Sequence, residues 1–515
     1  MELELKNTNL EPNKLLQSPL KEKENNTLIQ ITSFDEVINM IPIGKFHYLF
    51  SASIFLHFST VAVLTYNFSF ILMYPDYLCE DSATKEWNSC SREQVCNQKG
   101  DISQWRVNDR SPKTLDNWMV KMNLHCSEQY IIGMFASIDM IGQLFASVLF
   151  PTLADKYGRR IFTYIGVYIQ ILAYLMMIIF PSYLVAYGSI FFLGITFNNK
   201  NFISYTHLVE LMGKRASFVT GILFCYDSCI FIISPLIMVY VTKNTNLFLY
   251  VGFAMSISAL VLLHSFYFPE SLRFNISQKK FDNAERDLKH ILSTNKVPLR
   301  QSQEIEQNFN EFKRYQLDYD AQNQESVNQG RNAIQTLISN PRTLLNLLFL
   351  GICWVSSSGT FFIFIIFIKY LPGDPFLTGV AMGFSCLGYI ASDYLTFKFG
   401  VLKNMIYSYG VCAILLSLIL ILDQFTISVV LYAFLFFILK FVVCIAYSAI
   451  FVSHVELFDS NILSTSYGIC GFLSKIVNIF IPILVEAKNK NTPIVAILII
   501  NILACVASKF LNKKN

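Results

Sequence analysis

The chain has 515 residues, of which 53% are apolar and only 15% charged, with 46 Phe, 26 Tyr and a net charge of +4. This is the composition of a membrane protein. Nucleic acid is not expected as a partner.

Residues 1–45, beginning MELELKNTNLEPNKLLQSPLKEKENN, mix both charge signs and lack the apolar core of a signal peptide, so they read as a cytosolic tail. Twelve apolar runs come after it, at 47–74, 129–152, 160–180, 182–208, 216–241, 245–268, 343–368, 375–397, 403–422, 425–455, 463–485 and 492–511. As helices, each is long enough for a hydrocarbon core of roughly 30 Å. Lys and Arg gather in DKYGRR, MGKR, the loop after Pro269, KFGVLK and the terminal LNKKN, all on one side, which places both termini in the cytosol. The opposite side carries a long loop, 75–128, with Cys79, Cys90, Cys96 and Cys126, while the other eight cysteines lie in apolar runs. Four clustered outer cysteines are expected to form two disulfides, with three pairings open. No Asn-x-Ser/Thr sequon falls in that loop, so no N-glycan is expected there.

Run four ends in HLVELMG, His207 to Gly213, and run ten in SHVELFD, Ser453 to Asp459; Lys156-Tyr157-Gly158 after run two is answered by Lys398-Phe399-Gly400 after run eight. The repeats sit about 245 residues apart, which makes the chain a parallel duplication of six helices, 46–268 and 341–511. Between the halves lies a cytosolic linker, 269–340, that begins PESLRF. Its Phe281, Ala284, Leu288 and Ile291 share one helical face and predict a short amphipathic helix, while the Gln- and Asn-rich remainder reads as solvated linker. Residues 512–515 form a second cytosolic tail. The fold expected is an all-α membrane protein with twelve transmembrane helices in two six-helix halves.

The stretch ADKYGRR, Ala154 to Arg160, resembles the signature between the second and third helices of the major facilitator superfamily. Within that superfamily, several features are similar to the organic cation and anion transporter family. These are FDEVINMIPIGKFHYLF before run one, YPDYLC at Tyr74 to Cys79, an outer loop ending NWMVKMNLHC, PESLRF, and AIFVSHVELF closing run ten. The resemblance covers residues 33–511. It departs in detail: Pro151 stands where a glycine is usual, the second signature copy lacks its acid and arginine pair, Asp459 replaces a proline, and four outer cysteines replace six. The resemblance implies transport of small organic ions by alternating access and a cytosolic latch that holds the outward-open state. Within the signature residues Asp155, Lys156, Gly158, Arg159 and Arg160, Asp155 can accept from a neighbouring helix N-terminus. Gly158 permits a tight turn, and the arginines anchor at the inner surface. Glu210 with Arg215, and Glu456 in the second half, are candidates for the same latch. Plain topology marking by positive charge is the competing reading.

Five charges fall inside apolar runs: Asp139, Lys200, Asp227, Lys440 and Lys475. Each costs about 2.5–3.5 kcal/mol at a helix centre, so each is expected to face the bundle interior with a partner, water or a ligand. Snorkelling does not serve Lys440, which stands about sixteen residues, or roughly 24 Å of helix, from either end of its run. Run four descends and run five ascends, so Lys200 and Asp227 come to similar depth and are expected to pair. Direct contact of Lys200 with substrate, or a water-filled crevice, are the alternatives. The neighbouring asparagines would satisfy remaining hydrogen bonds.

Lys440 and Lys475 have no obvious acidic partner in the second half. Lys440 shares a helix face with Cys444, Tyr447, Phe451 and His454, and Lys475 with Gly468, Gly471 and Asn478. The resemblance places Lys440 where the organic anion branch usually has a lysine. It places Lys475 where that branch has an arginine and the cation branch an aspartate, and Phe361 and Phe362 where two tyrosines are frequent. Cations beside rings, with Trp354, Phe361, Phe362, Tyr226 and Tyr447 as candidates, suit an organic anion; helix packing is the plain alternative for any one ring. His207 and His454, at cytosolic ends, are expected to be solvated.

No hydrolytic or redox constellation and no GxxxxGK[ST] loop occurs, so an enzyme, a cofactor, a metal and an ATP motor are all unexpected. The functional expectation is facilitated transport or exchange of small organic anions across the plasma membrane, with two halves rocking about a central ligand. One competing reading is an organic cation or zwitterion transporter with Asp139 or Asp227 as counter-ion. Another is a non-transporting homologue that serves as a receptor or structural membrane subunit. Besides substrate, the lipid bilayer is the partner implied; oligomeric state is not legible in the sequence.

Overall fold

The computed structural model describes residues 34–511 apart from 83, 98–101, 323–339, 371–373, 426–427, 459 and 488–490, so most of the 1–45 tail and all of 512–515 lie outside the described residues. Among the described residues, eleven helices are long and apolar enough to cross a membrane by length and composition. They are Lys45–Ile71, Gln129–Ser147, Arg159–Ile179, Val219–Tyr240, Asn246–Ser265, Pro341–Tyr370, Pro375–Phe399, Val401–Leu422, Val429–His454, Ser466–Val485 and Asn491–Lys509. The fourth run is also helical, but in three pieces: an α-helix of 16 residues, Tyr183–Asn198, a π-helical stretch Asn199–Ser204, and an α-helix Tyr205–Met212. No single piece is long enough to count as a span. With the run taken whole, every expected run has a helical counterpart, and the helices are spans one to twelve in chain order.

The helices of spans two and eight, Gln129–Tyr157 and Leu387–Phe399, end at glycines in the left-handed region, Gly158 at φ 102° and Gly400 at φ 84°. Each glycine closes one helix and opens the next. The repeat seen in the sequence is therefore a repeat of a backbone turn that side-chain-bearing residues rarely adopt.

The outer ends of the halves are fastened together. Ser137 of span two donates to the Ile479 carbonyl of span eleven at 2.7 Å. Phe70 stacks on Phe376 with centroids 5.4 Å apart, and Lys369 of span seven donates to the Leu72 carbonyl at 3.1 Å. The Lys369 ammonium also lies 2.7 Å from the Glu486 carboxylate, both side chains 1% exposed, and the Tyr370 hydroxyl donates to the same carboxylate. Lys369 and Glu486 stand at the ends of apolar runs, where charge is ordinary, so nothing in the sequence singled them out.

The outer loop folds on a small antiparallel sheet, β1 (Tyr77–Asp81), β2 (Trp87–Cys90) and β3 (Ile102–Val107), in the order β2-β1-β3. Of the three possible pairings, the disulfides are Cys79–Cys90, across β1 and β2, and Cys96–Cys126, which ties the short helix Arg92–Asn97 to the segment before span two. Intact cells are expected to label weakly with an impermeant maleimide until a reductant is added. Strong labelling of these four positions beforehand would count against both bridges.

Between the halves, the helix Phe281–Thr294 buries the four expected residues, Phe281, Ala284, Leu288 and Ile291. The solvated-linker reading of the Gln- and Asn-rich segment is overturned as far as Gln322: Leu299–Gln322 is one helix, and Ile305, Phe309 and Phe312 are buried on it. Three apolar residues four and three apart suffice for a docking stripe even in so polar a segment. The end of the N-terminal tail is docked as well. Phe34, on the helix Phe34–Met40, meets Phe309 and Phe312 at 6.3 and 5.5 Å.

Candidate functional site

The asparagine-rich break in span four distributes its polar side chains among four neighbouring helices. Asn198 donates to the Gln143 carbonyl of span two. Asn199 donates to the Phe162 carbonyl of span three at 2.7 Å. Lys200 donates to the Phe58 carbonyl of span one at 2.6 Å and sits 3.8 Å from the Asp227 carboxylate of span five. Asp227 also accepts from the Tyr66 hydroxyl at 2.7 Å. A regular α-helix sends residues 100° apart round its axis; the π-helical turn changes that spacing just where the polar run begins, a device frequent at functional positions. Lys200 is fully buried, and its charge is met by Asp227 and by the rings of Phe58 and Phe197, at 4.3 and 4.8 Å.

Lys440 and Lys475 are buried too, and rings face both. The Lys440 ammonium lies 3.6 Å from the Phe231 centroid and 5.9 Å from that of Phe361. It has no hydrogen-bond partner among the described residues. The Lys475 ammonium lies 4.8 Å from Phe362 and 5.3 Å from Phe197. Phe361 and Phe362 meet edge to face at 5.9 Å, Phe197 and Phe362 at 6.3 Å, and Phe361 and Tyr447 at 5.6 Å. Tyr66 stacks on Phe231 at 4.3 Å. Three ammonium groups thus surround one aromatic cluster at the seam between the halves. Sequence reasoning placed Phe361, Phe362 and Tyr447 among its candidates but passed over Phe231, Phe197, Phe58 and Tyr66, since in a chain with 46 Phe and 26 Tyr ring content alone carries no signal. Asp139 completes the set of buried charges: its Oδ2 accepts from Gln143 at 2.8 Å, and it interacts electrostatically with Lys475 and Lys200.

Two candidates lie at the margin. Trp354 donates through its indole N–H to His454 at 2.6 Å and packs on Phe451 at 4.9 Å, so its polar atom is already committed. Tyr226 is 38% exposed with its ring against Phe55. The expected solvation of the histidines is overturned, as His207 and His454 are both fully buried. Phe50 and Phe268 enclose His207 at 5.1 and 5.2 Å, and His454 links Trp354 to Ser466 at 3.0 Å. Aromatic neighbours from other helices close over ring positions that chain order places at the cytosolic ends.

At the cytosolic signature the helix cap comes from an unexpected residue. Glu270 of PESLRF accepts from the backbone N–H groups of Arg159 at 2.8 Å and Arg160 at 3.2 Å, at the start of span three; the side chain of Asp155, the expected acceptor, lies outside the described residues. A carboxylate there meets the positive end of the helix dipole. Burial nevertheless pushes the Glu270 carboxyl above its ordinary range, against the lowering effect of these hydrogen bonds. A Cβ at Gly158 would collide with Glu270, so glycine serves both the turn and the cap. Glu210 bonds to the Arg159 guanidinium and to Ser271, not to Arg215, which is exposed. Ser271 joins that acid to its own helix, Leu272–Ser277, which it caps. Lys156 is exposed, Arg160 lies 5.5 Å from the Tyr267 ring, and Glu456 is half-buried at the inner end of span ten.

The sequence profile described as Major Facilitator Superfamily matches residues 114–482. Among curated proteins, the chain is 26% identical over 178 residues to "Solute carrier family 22 member 2" of Rattus norvegicus, covering 34% of this chain and 32% of that protein. It is 23% identical over 194 residues to "Organic cation transporter-like protein" of Drosophila melanogaster, with 38% and 34% covered. To "Solute carrier family 22 member 20" of Mus musculus it is 29% identical over 195 residues, with 37% and 34% covered. The chain thus spans about a third of the length of the curated relatives it matches. Among solved structures, the partially occluded inward-open xylose transporter XylE of E. coli superposes with a TM-score of 0.56 over 92% of this chain and 98% of that one, at 15% identity. XylE bound to 6-bromo-6-deoxy-D-glucose gives a TM-score of 0.58 at 14% identity, with 93% and 96% covered. At such identity the likeness is one of fold.

Proposed function

The chain belongs to the major facilitator superfamily, and on that footing we propose that it is a secondary transporter of small organic anions, working by alternating access as a uniporter or exchanger. One observation carries the choice of anion. The Lys440 ammonium is buried on the face of Phe231 with no hydrogen-bond partner among the described residues. A buried, unpaired ammonium is costly, and a bound carboxylate or sulfonate offsets that cost while rings pack the organic body. The wider charge balance agrees: Lys200, Lys440 and Lys475 face the seam with Asp139 and Asp227, an excess of one positive charge. A cation arriving there meets net repulsion. The closed outer ends suit one end state of a rocking cycle.

The cation reading keeps one observation in its favour, the unpartnered Oδ1 of Asp139. Uptake into proteoliposomes decides between them. Radiolabelled benzenesulfonate is expected to accumulate, faster with unlabelled benzenesulfonate inside, while tetraethylammonium and betaine are excluded. Uptake of tetraethylammonium or betaine instead would move the assignment to cations or zwitterions, and uptake of none would favour the receptor or structural-subunit reading. We place the protein in the plasma membrane by its likeness to the solute carrier relatives, and both termini in the cytosol, since its Lys and Arg gather at the loops of one side.

A further inference from the structure

Asp139 is the buried charge that anion transport by itself leaves unused. The residue is 1% exposed, and among the described residues its Oδ1 has no hydrogen-bond partner. Spans two and four meet backbone to backbone around it, because a Cβ at Gly194 would collide with the Asp139 carbonyl oxygen and one at Gly142 with that of Phe191. Across the seam stands span eleven. Ser137, two residues before Asp139, donates to the carbonyl of Ile479, four residues after Lys475. At 1.5 Å of rise per residue, this sets Asp139 and Lys475 at nearly the same level on facing helices.

The titratable and charged groups around Asp139 come from three elements. Lys475 faces it from span eleven, Lys200 from span four and Tyr174 from span three; Gln143, neutral, comes from its own helix. The Tyr174 hydroxyl is committed to the Thr60 carbonyl at 2.6 Å, and Lys200 to Asp227 and the Phe58 carbonyl. Lys475 is therefore the cation that an ionised Asp139 serves. A substrate anion on Lys475 would put a second negative charge beside that carboxylate, in a setting where charge is poorly screened. A proton on Asp139 removes the competitor and frees Lys475.

Building on the anion reading, but with proton symport in place of plain uniport or exchange, we propose that Asp139 is the proton-binding site of a proton-coupled anion transporter, which takes up one proton on the Asp139 carboxylate and one monovalent anion on Lys475 and releases both on the other side. The proton converts carboxylate to carboxylic acid and leaves by the reverse step, so the pair crosses without net charge. No other reactant is needed.

Benzenesulfonate suits the test, since it stays ionised throughout the range and any pH effect belongs to the protein. Proteoliposomes holding a pH-sensitive dye are exposed to the labelled anion over a range from about pH 8 to about pH 5.5. Uptake is expected to rise on acidification by up to about tenfold per pH unit, with a matching acidification inside. Asp139→Asn, which has the shape of the protonated acid, is expected to take up the anion at a rate that ignores pH and to carry no protons. Asp139→Glu retains an acid and is expected to keep the pH dependence, which holds the test open if the Asn variant fails to insert. Uptake by the parent protein that is flat with pH and moves no protons would overturn the proposal, as would proton flux through Asp139→Asn. Failure of the anion reading looks different: no uptake or exchange of benzenesulfonate at any pH, with tetraethylammonium or betaine carried instead.

Discussion

Replacing Lys475 with Asp is expected to reduce benzenesulfonate uptake at subsaturating concentration by at least about thirtyfold, compared at equal amounts of reconstituted protein. Truncating one partner of a buried hydrogen-bonded charge pair costs about 2–5 kcal/mol, and each 1.4 kcal/mol is a factor of ten in affinity. The substitution does more than truncate. It sets a second carboxylate on the Asp139 level and leaves Lys440, on Phe231, a cation with no hydrogen-bond partner among the described residues. Some tetraethylammonium uptake is therefore expected from the variant. Lys475→Arg is expected to retain more anion uptake, because charge survives while reach and hydrogen-bond geometry change. Comparable benzenesulfonate uptake by parent and Asp variant would remove Lys475 from the site.

The second large effect is structural. Lys200→Ala strands the Asp227 carboxylate, which then keeps only its hydrogen bond from Tyr66. Breaking a buried pair from one side costs about 3–5 kcal/mol, so the yield of inserted protein and its melting temperature in detergent are both expected to fall steeply. The double variant with Asp227→Ala leaves no charge stranded and is expected to recover most of the loss. If the two single effects merely add, the pair contributes no coupling and Lys200 becomes a candidate for direct contact with substrate.

Much of the fold could be read from the sequence because it depends on local properties. Apolar length marks the spans, lysine and arginine mark the inner side, and Gly158 and Gly400 betray the duplication through a turn that glycine accommodates with least strain. The four outer cysteines announced two bridges, although only the pairing of β1 with β2 chose between connectivities. Depth along a helix is equally local, so Lys200 and Asp227 could be matched by counting residues from the inner ends of their runs.

Rotation of one helix against another is not local, and there the tertiary structure decided. Which group a carboxylate meets is decided when helices pack, so Glu210 bonds Arg159 rather than Arg215, and Glu270, distant in the chain, caps span three. The π-helical turn at Asn199–Ser204 shifts the faces of span four in a way that a period of 3.6 residues does not foresee. Asp139 and Lys475 lie in different halves, and no pattern within either half relates them; they come to nearly the same level because Ser137 and Ile479 dock spans two and eleven. By itself, then, the sequence determined which segments are long and apolar enough to cross the membrane, and that Asp139, Lys200, Asp227, Lys440 and Lys475 are buried among them. The partner of each buried charge was left to the packing of helices, since apolar faces surround these spans on every side and nothing in a uniformly apolar run says which neighbour each face will meet.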